Sequence, residues 1–131
     1  MKSLFLKLFL SVVFMASTVG IVCAQDVIKV SPETHQVLFE NDQVRVIKVH
    51  MKPGQKVGMH SHPNGSILYY MSNAKIRITF PDGKTEVREV KADTASWSGP
   101  VTHAAENIGT TDLLEIQSEL KTVPNKKNPK N

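Results

Sequence analysis

Short strand-like segments, separated by turn-forming residues, follow one another through most of this 131-residue sequence. Residues 44–51 form a run rich in β-branched side chains, and Pro53-Gly54 directly after it is typical of a turn. Pro81-Asp82-Gly83 predicts a hairpin between two later segments in which polar and apolar residues alternate. The other predicted strands span residues 56–62, 66–71, 75–80, 86–91, 94–97, 103–108 and 113–120.

Eight short strands at steady spacing, with no internal helix predicted, favour an all-β fold, either an antiparallel sandwich or a barrel. The length suits one domain and is too small for two. No internal repeat interrupts the pattern. We therefore expect a single antiparallel β-domain.

The charge distribution argues against a nucleic-acid-binding protein. The chain has 16 basic and 12 acidic residues, a formal net charge of +4. Without the six lysines near the two ends, the central part has about 10 basic against 12 acidic residues and is nearly neutral. Aromatic residues make up only 6%, which provides no platform for stacking bases. The six terminal lysines are Lys2, Lys7, Lys121, Lys126, Lys127 and Lys130.

The first 24 residues have the features of a secretory signal peptide: a short basic start, an apolar middle and small residues at the end. We expect cleavage after Ala24, so that the mature chain begins at Gln25 and lies in the periplasm or outside the cell. The alternatives are an uncleaved anchor or a lipoprotein modified at Cys23. In the mature chain, residues 25–36 are expected to form an N-terminal segment, 37–120 a barrel, and 121–131 a disordered basic tail.

The only cysteine of the chain, Cys23, would leave with the signal peptide. A mature domain without cysteine has no disulfide and no thiol ligand, so any metal must bind to nitrogen and oxygen atoms.

Three of the five histidines form the one pattern that suggests chemistry. His60 and His62 lie two residues apart on a predicted strand, so their side chains leave the same face, about 6.6 Å apart along the strand. Two imidazoles in this arrangement can converge on one ion. His103 begins a strand 41 residues later and would reach the same ion if the sheet closes into a barrel.

The two histidine segments resemble the two motifs of the cupin superfamily of small β-barrels. The resemblance covers residues 37–120, and it implies a conical double-stranded β-helix, or jelly roll, that is often dimeric. It also implies that His60, His62 and His103 bind a metal. The first motif is carried by Gly54, His60, His62, Ser66 and Asn73, and the second by Ala92, Ser98, Gly99, Pro100, His103 and Asn107.

Ser66 stands where the family commonly has a glutamate that serves as the fourth protein ligand. A site with three neutral imidazoles would keep the full charge of a divalent ion and leave positions open. Zinc, iron(II), manganese, copper and nickel are all compatible with such a site, with copper and zinc favoured outside the cytoplasm. The alternative is a degenerate cupin whose histidines only line the mouth of the barrel.

Other residues are expected to have simpler roles. Tyr69 and Tyr70 alternate, so one of them must face inward, and with Ser66 and Asn107 they are candidates for lining a ligand pocket. Trp97 is expected to anchor the core. His35 is placed before the barrel and His50 on a strand, each as a surface or core residue.

Two functions remain open from the sequence. One is a non-catalytic module that binds a metal or a small molecule, which is slightly favoured because no acid or base accompanies the histidines. The other is a metal-dependent enzyme of dioxygenase, isomerase or decarboxylase type, acting on a small oxygen- or carboxylate-bearing substrate. Neither involves nucleic acid or, once the signal peptide is removed, a membrane span. A homodimer is compatible with both.

Overall fold

The computed structural model describes residues 25–121, so the predicted signal peptide and residues 122–131 of the predicted tail lie outside the described residues. Within residues 25–121, nine strands follow one short helix. The bounds are α1 Val27–Val30, β1 His35–Glu40, β2 Val44–Met51, β3 Lys56–His62, β4 Ser66–Tyr70, β5 Ala74–Thr79, β6 Thr85–Val90, β7 Thr94–Ser98, β8 Val101–Asn107 and β9 Leu113–Leu120.

The strands form two antiparallel sheets. The first has the order β1-β2-β9-β4-β7, and the second has the order β3-β8-β5-β6. Because neighbours in space are seldom neighbours in sequence, the chain crosses repeatedly between the sheets, as in a jelly roll. The prediction of an all-β antiparallel domain is confirmed, and each predicted strand overlaps an observed one.

Two features before residue 44 differ from the prediction. Helix α1 is a single turn that was not expected, and Asp26 caps it by accepting a hydrogen bond from the Ile28 amide at 2.9 Å. Strand β1 begins at His35, so this histidine lies in the sheet and not before the barrel. The one helix of residues 25–121 has four residues, far fewer than a membrane span requires.

The apolar core lies between the sheets, where Ile47 and Met51 of β2 pack against Val57 of β3. Trp97 is not part of this core: it is 58% exposed, and the prediction that it anchors the core is wrong. It pairs in register with Ile67 of β4, which is also exposed. Since side chains alternate along a strand, an outward Trp97 turns its neighbours Ser96 and Ser98 inward.

Candidate metal centre

Strands β3 and β8 bring the three predicted histidines together inside the barrel. His60 and His62 leave the same face of β3, and His60 lies opposite His103 in the ladder between the two strands. The centroid of the His60 ring is 4.8 Å from that of the His62 ring and 4.6 Å from that of the His103 ring. One nitrogen from each ring lies within 4.8 Å of the others, a cluster that could hold a metal ion.

Hydrogen bonds at Nδ1 determine which nitrogen of His60 and of His62 faces the centre. The Nδ1 atom of His60 is 2.8 Å from the carbonyl oxygen of Gly58, which can only accept, so the ring carries its hydrogen there. His62 likewise donates from Nδ1 to the carboxylate of Glu119 at 2.5 Å. Both Nε2 atoms therefore point inward and carry lone pairs.

These two unprotonated Nε2 atoms lie 3.0 Å apart. Two lone pairs at this distance repel each other unless a cation lies between them. Two nitrogen ligands at about 2.0–2.1 Å from one ion are separated by about 3 Å, so the spacing fits a shared metal.

His103 supplies the third nitrogen. Its Nε2 atom is buried and has no hydrogen-bond partner among residues 25–121. Burial, and secondarily the neighbouring histidines, lower the pKa of His103 to about 3, and burial also lowers the pKa of His60. The rings of His103 and His60 are thus neutral at physiological pH, which is the form that binds metals. The donor set fits a divalent ion.

An ion-paired chain behind His62 was not predicted from the sequence. Arg45 of β2 bonds to Glu119 through Nε at 2.7 Å and to Asp26 through Nη1 at 2.7 Å. Burial alone would raise the pKa of Glu119, but the hydrogen bonds from His62 and Arg45 outweigh it and lower the pKa. Glu119 is therefore ionised, and it holds the His62 ring in the orientation that a metal needs.

The Glu119 carboxylate is expected to strengthen metal binding. We predict that Glu119→Gln lowers the affinity for Zn²⁺ by about 10- to 100-fold, because the His62 ring loses its charged orienting partner. Competition with a chromophoric chelator measures this affinity. Glu106→Gln is the matched control, since Glu106 is a strand glutamate paired with Lys56 and Arg77. Equal affinities for the two variants would contradict the role of Glu119.

The cluster opens into a cavity of about 70 Å³ between the sheets. This volume accommodates a few water molecules or a small organic molecule. His35 also lines it: its ring is 6.2 Å from that of His60, and its Nδ1 is 2.8 Å from the Thr34 hydroxyl. Burial lowers the pKa of His35 to about 4. By contrast, His50 is half-exposed and pairs with Asp112 at 2.7 Å.

The predicted pocket residues separate into different places. Tyr70 lines the cavity, whereas Tyr69 is on the outer face, where its hydroxyl donates to Asp93 at 3.1 Å. Ser66 is fully buried beside the cluster, and its Oγ is 3.1 Å from the side-chain amide of Gln117, which lies 3.0 Å from His62 Nδ1.

Asn107 does not line the cavity. Its side-chain amide donates to the carbonyls of Met51 at 2.9 Å and Thr111 at 2.8 Å, and its Oδ1 accepts from the Gly109 amide at 3.0 Å. These bonds tie the end of β8 to the loop before β9. The structure therefore places Asn107 in the framework and not in a ligand pocket.

No protein-family model matches the sequence, and no curated protein matches it. Solved structures do match the fold. A cupin domain protein from Bordetella pertussis has a TM-score of 0.62 at 20% identity, over 67% of this chain and 92% of that one. A double-stranded β-helix protein from Klebsiella pneumoniae has a TM-score of 0.52 at 24% identity, over 64% and 72%.

A third match is oxalate decarboxylase, with a TM-score of 0.52 at 21% identity over 74% of this chain and 28% of that one. The two sheets, with a chain that crosses repeatedly between them, and these likenesses together define a double-stranded β-helix protein. More narrowly, the chain has the fold of the cupin superfamily, which confirms at the level of the fold the resemblance shown by its two histidine motifs.

Proposed function

We propose that this protein binds one divalent metal ion through Nε2 of His60, His62 and His103, and that it serves as a binding module for that metal or for a small molecule held beside it. The observation that carries the proposal is the pair of inward lone pairs 3.0 Å apart at His60 and His62. The unpartnered Nε2 of His103 completes the set.

The donor set determines the chemistry that such an ion would supply. Three neutral imidazoles would leave the full positive charge on a divalent ion, which would then polarise an oxygen-bearing ligand. Ser66 cannot replace the glutamate ligand expected at its position, because its hydroxyl is turned to Gln117. Zinc, copper, iron(II), manganese and nickel all accept nitrogen ligands.

Metal titration of the stripped protein tests this proposal. We expect one equivalent of Zn²⁺ or Cu²⁺ to bind and to raise the midpoint of thermal unfolding, because an ion that binds only the folded state stabilises it. A free concentration of 100 times Kd corresponds to about 2.7 kcal/mol. Elemental analysis after gel filtration gives the stoichiometry. If none of the five candidate ions binds, the proposal is overturned.

We also propose that the protein is exported, by removal of residues 1–24, and that it forms a homodimer in the periplasm or the medium. The dimer is supported by an apolar patch of Ile67, Tyr69 and Trp97 on the outer face of the first sheet. Native mass spectrometry of the exported protein tests both: the subunit mass should correspond to a chain beginning at Gln25, and the complex to twice that mass. A longer chain would contradict the cleavage after Ala24, and a monomer would contradict the homodimer.

A metal-dependent enzyme is the second candidate. The cavity favours it, because polar side chains line the wall beyond the histidines, where a substrate would lie: Tyr70, Arg88 and Glu115. Decarboxylase-, dioxygenase- and isomerase-type reactions on a small carboxylate are compatible with this arrangement. Metal-dependent turnover that is lost in His62→Ala would establish it over the binding module.

A further inference from the structure

A buried carboxyl group lies in the cavity away from the histidine cluster. Glu115 is on β9, where it pairs in register with Val49 on one side and with Tyr70 on the other, and all three residues line the cavity. Its side chain is buried, at 6% exposure. Within residues 25–121, its carboxyl group has neither a hydrogen bond nor an ion pair.

A carboxylate without a partner is costly to bury, so this environment favours the neutral acid. Burial raises the pKa of Glu115 to about 7. The Arg88 guanidinium, which also lines the cavity, donates two hydrogen bonds to Glu86, at 2.8 and 3.0 Å, and forms no ion pair with Glu115. The other titratable groups lining the cavity are Tyr70 of β4, His35 of β1, His60 and His62 of β3, and His103 of β8.

The position of Glu115 relative to the cluster follows from the strand. Gln117, whose amide is 3.0 Å from His62, lies two residues further along β9 and faces the same side. Two residues of a strand span about 7 Å. The histidine nitrogens and the Glu115 carboxyl group thus line the same cavity, with Glu115 about 7 Å along β9 from Gln117. The apolar part of the wall includes Leu68, Ile76 and Ile78.

We propose that Glu115 binds one end of a small carboxylic acid in this cavity, donating its O–H to a second oxygen of the ligand while the ligand's carboxylate binds at the histidine cluster. The inference rests on the proposed function in one respect, namely that a metal ion holds the carboxylate end. It adds the ligand class: a short acid with an apolar body and a further acceptor oxygen.

The test uses two matched pairs of probes on the Zn²⁺-loaded protein. Propionate and pyruvate differ by one ketone oxygen near the carboxylate, and pentanoate and 4-oxopentanoate differ by one further away. We expect 4-oxopentanoate to bind about 5- to 10-fold more tightly than pentanoate at pH 6, as one hydrogen bond provides. Pyruvate serves as the comparison, because its ketone lies beside the carboxylate and can bind the metal itself. Calorimetry measures the affinities.

Substitution of Glu115 tests whether this residue causes the tighter binding of the oxo acid. Glu115→Gln should keep the preference, because the side-chain amide still donates, whereas Glu115→Leu should abolish it. In the wild type the preference should fall by about 3-fold or more between pH 6 and pH 8, as the carboxyl loses its proton, and it should stay constant in Glu115→Gln. If Glu115→Leu fails to fold, the comparison of these two pH profiles decides the matter.

The outcomes separate this inference from the proposed function. Zn²⁺ binding is measured first on each variant, and Glu106→Leu serves as the control for loss of a strand carboxylate. No Zn²⁺ uptake by the wild type would overturn the proposed function and this inference together. Normal uptake with no preference for 4-oxopentanoate over pentanoate, or such a preference that survives in Glu115→Leu, would overturn this inference alone.

Discussion

His62→Ala is expected to lower the affinity for Zn²⁺ by more than about 100-fold and to leave less than about a tenth of an equivalent bound after gel filtration. Loss of a partner behind a ligand already costs about 10- to 100-fold, and loss of the ligand itself costs more. His62 is the strongest choice, because its Nδ1 is held by Glu119 at 2.5 Å and its Nε2 lies 3.0 Å from that of His60. His60→Ala and His103→Ala should have effects of the same kind.

His50→Ala is the matched control. His50 is half-exposed, and its ring pairs with Asp112 outside the cavity. It should keep one equivalent of Zn²⁺ at unchanged affinity, which shows that the loss in His62→Ala does not follow from removing any histidine. Wild-type affinity in His62→Ala, with the fold intact by circular dichroism, would mean that the cluster is only a polar lining of the barrel.

The fold and the core of the site were predictable because both depend on local spacing. Side chains two residues apart on a strand share a face, so His60 and His62 were expected to point together. Turn residues such as Pro53-Gly54 mark the ends of the strands, and the number and spacing of the strands indicated an antiparallel sandwich or barrel. The position of His103 needed more, because it depends on the long-range pairing of β3 with β8, which spacing along the chain does not reveal. Only closure of the sheet into a barrel, together with the family resemblance, placed His103 beside the other two histidines.

Strand β9 shows why the residues behind the ligands were missed. Glu115, Gln117 and Glu119 face the interior, while Leu114 and Ile116 lie on the other side of the strand. Ordinary alternation would put the leucine and isoleucine inside and the charged residues outside. The reverse holds because the inward carboxylate of Glu119 bonds to His62 and Arg45, and no local pattern reveals such a long-range partner.

Strand β1 was missed for a different reason. Its residues Val37, Leu38 and Phe39 are consecutive apolar residues and all are exposed, so they show no alternation. The structure explains this by a register shift against β2 between Val37 and Phe39. A strand with an irregular register has no period of two, and His35 at its start was therefore not connected with the cavity.

Glu115→Gln is expected to change how the stability of the metal-free protein depends on pH. Burial raises the pKa of Glu115 to about 7 from an ordinary value of 4.5. Between these two values the folded state holds a proton that the unfolded state has lost, so this group's contribution to stability decreases as the pH rises from about 4.5 to 7. The shift corresponds to about 3 kcal/mol in total. Glutamine carries no such proton and removes this loss.

The measured quantity is the difference in unfolding free energy between Glu115→Gln and the wild type, from urea titrations at pH 5, 6, 7 and 8. Taking the difference cancels the opposite trend of His35, whose lowered pKa makes the folded state lose stability as the pH falls below about 6.5. We expect the variant to gain about 2–3 kcal/mol relative to the wild type between pH 5 and pH 8.

Glu119→Gln should behave in the opposite sense. Because the pKa of Glu119 is lowered, its carboxylate stabilises the fold above pH about 4.5, and its removal should cost stability throughout this range. A flat difference for Glu115→Gln would mean that the Glu115 carboxyl is solvated in the cavity, and it would remove the basis for a proton held there.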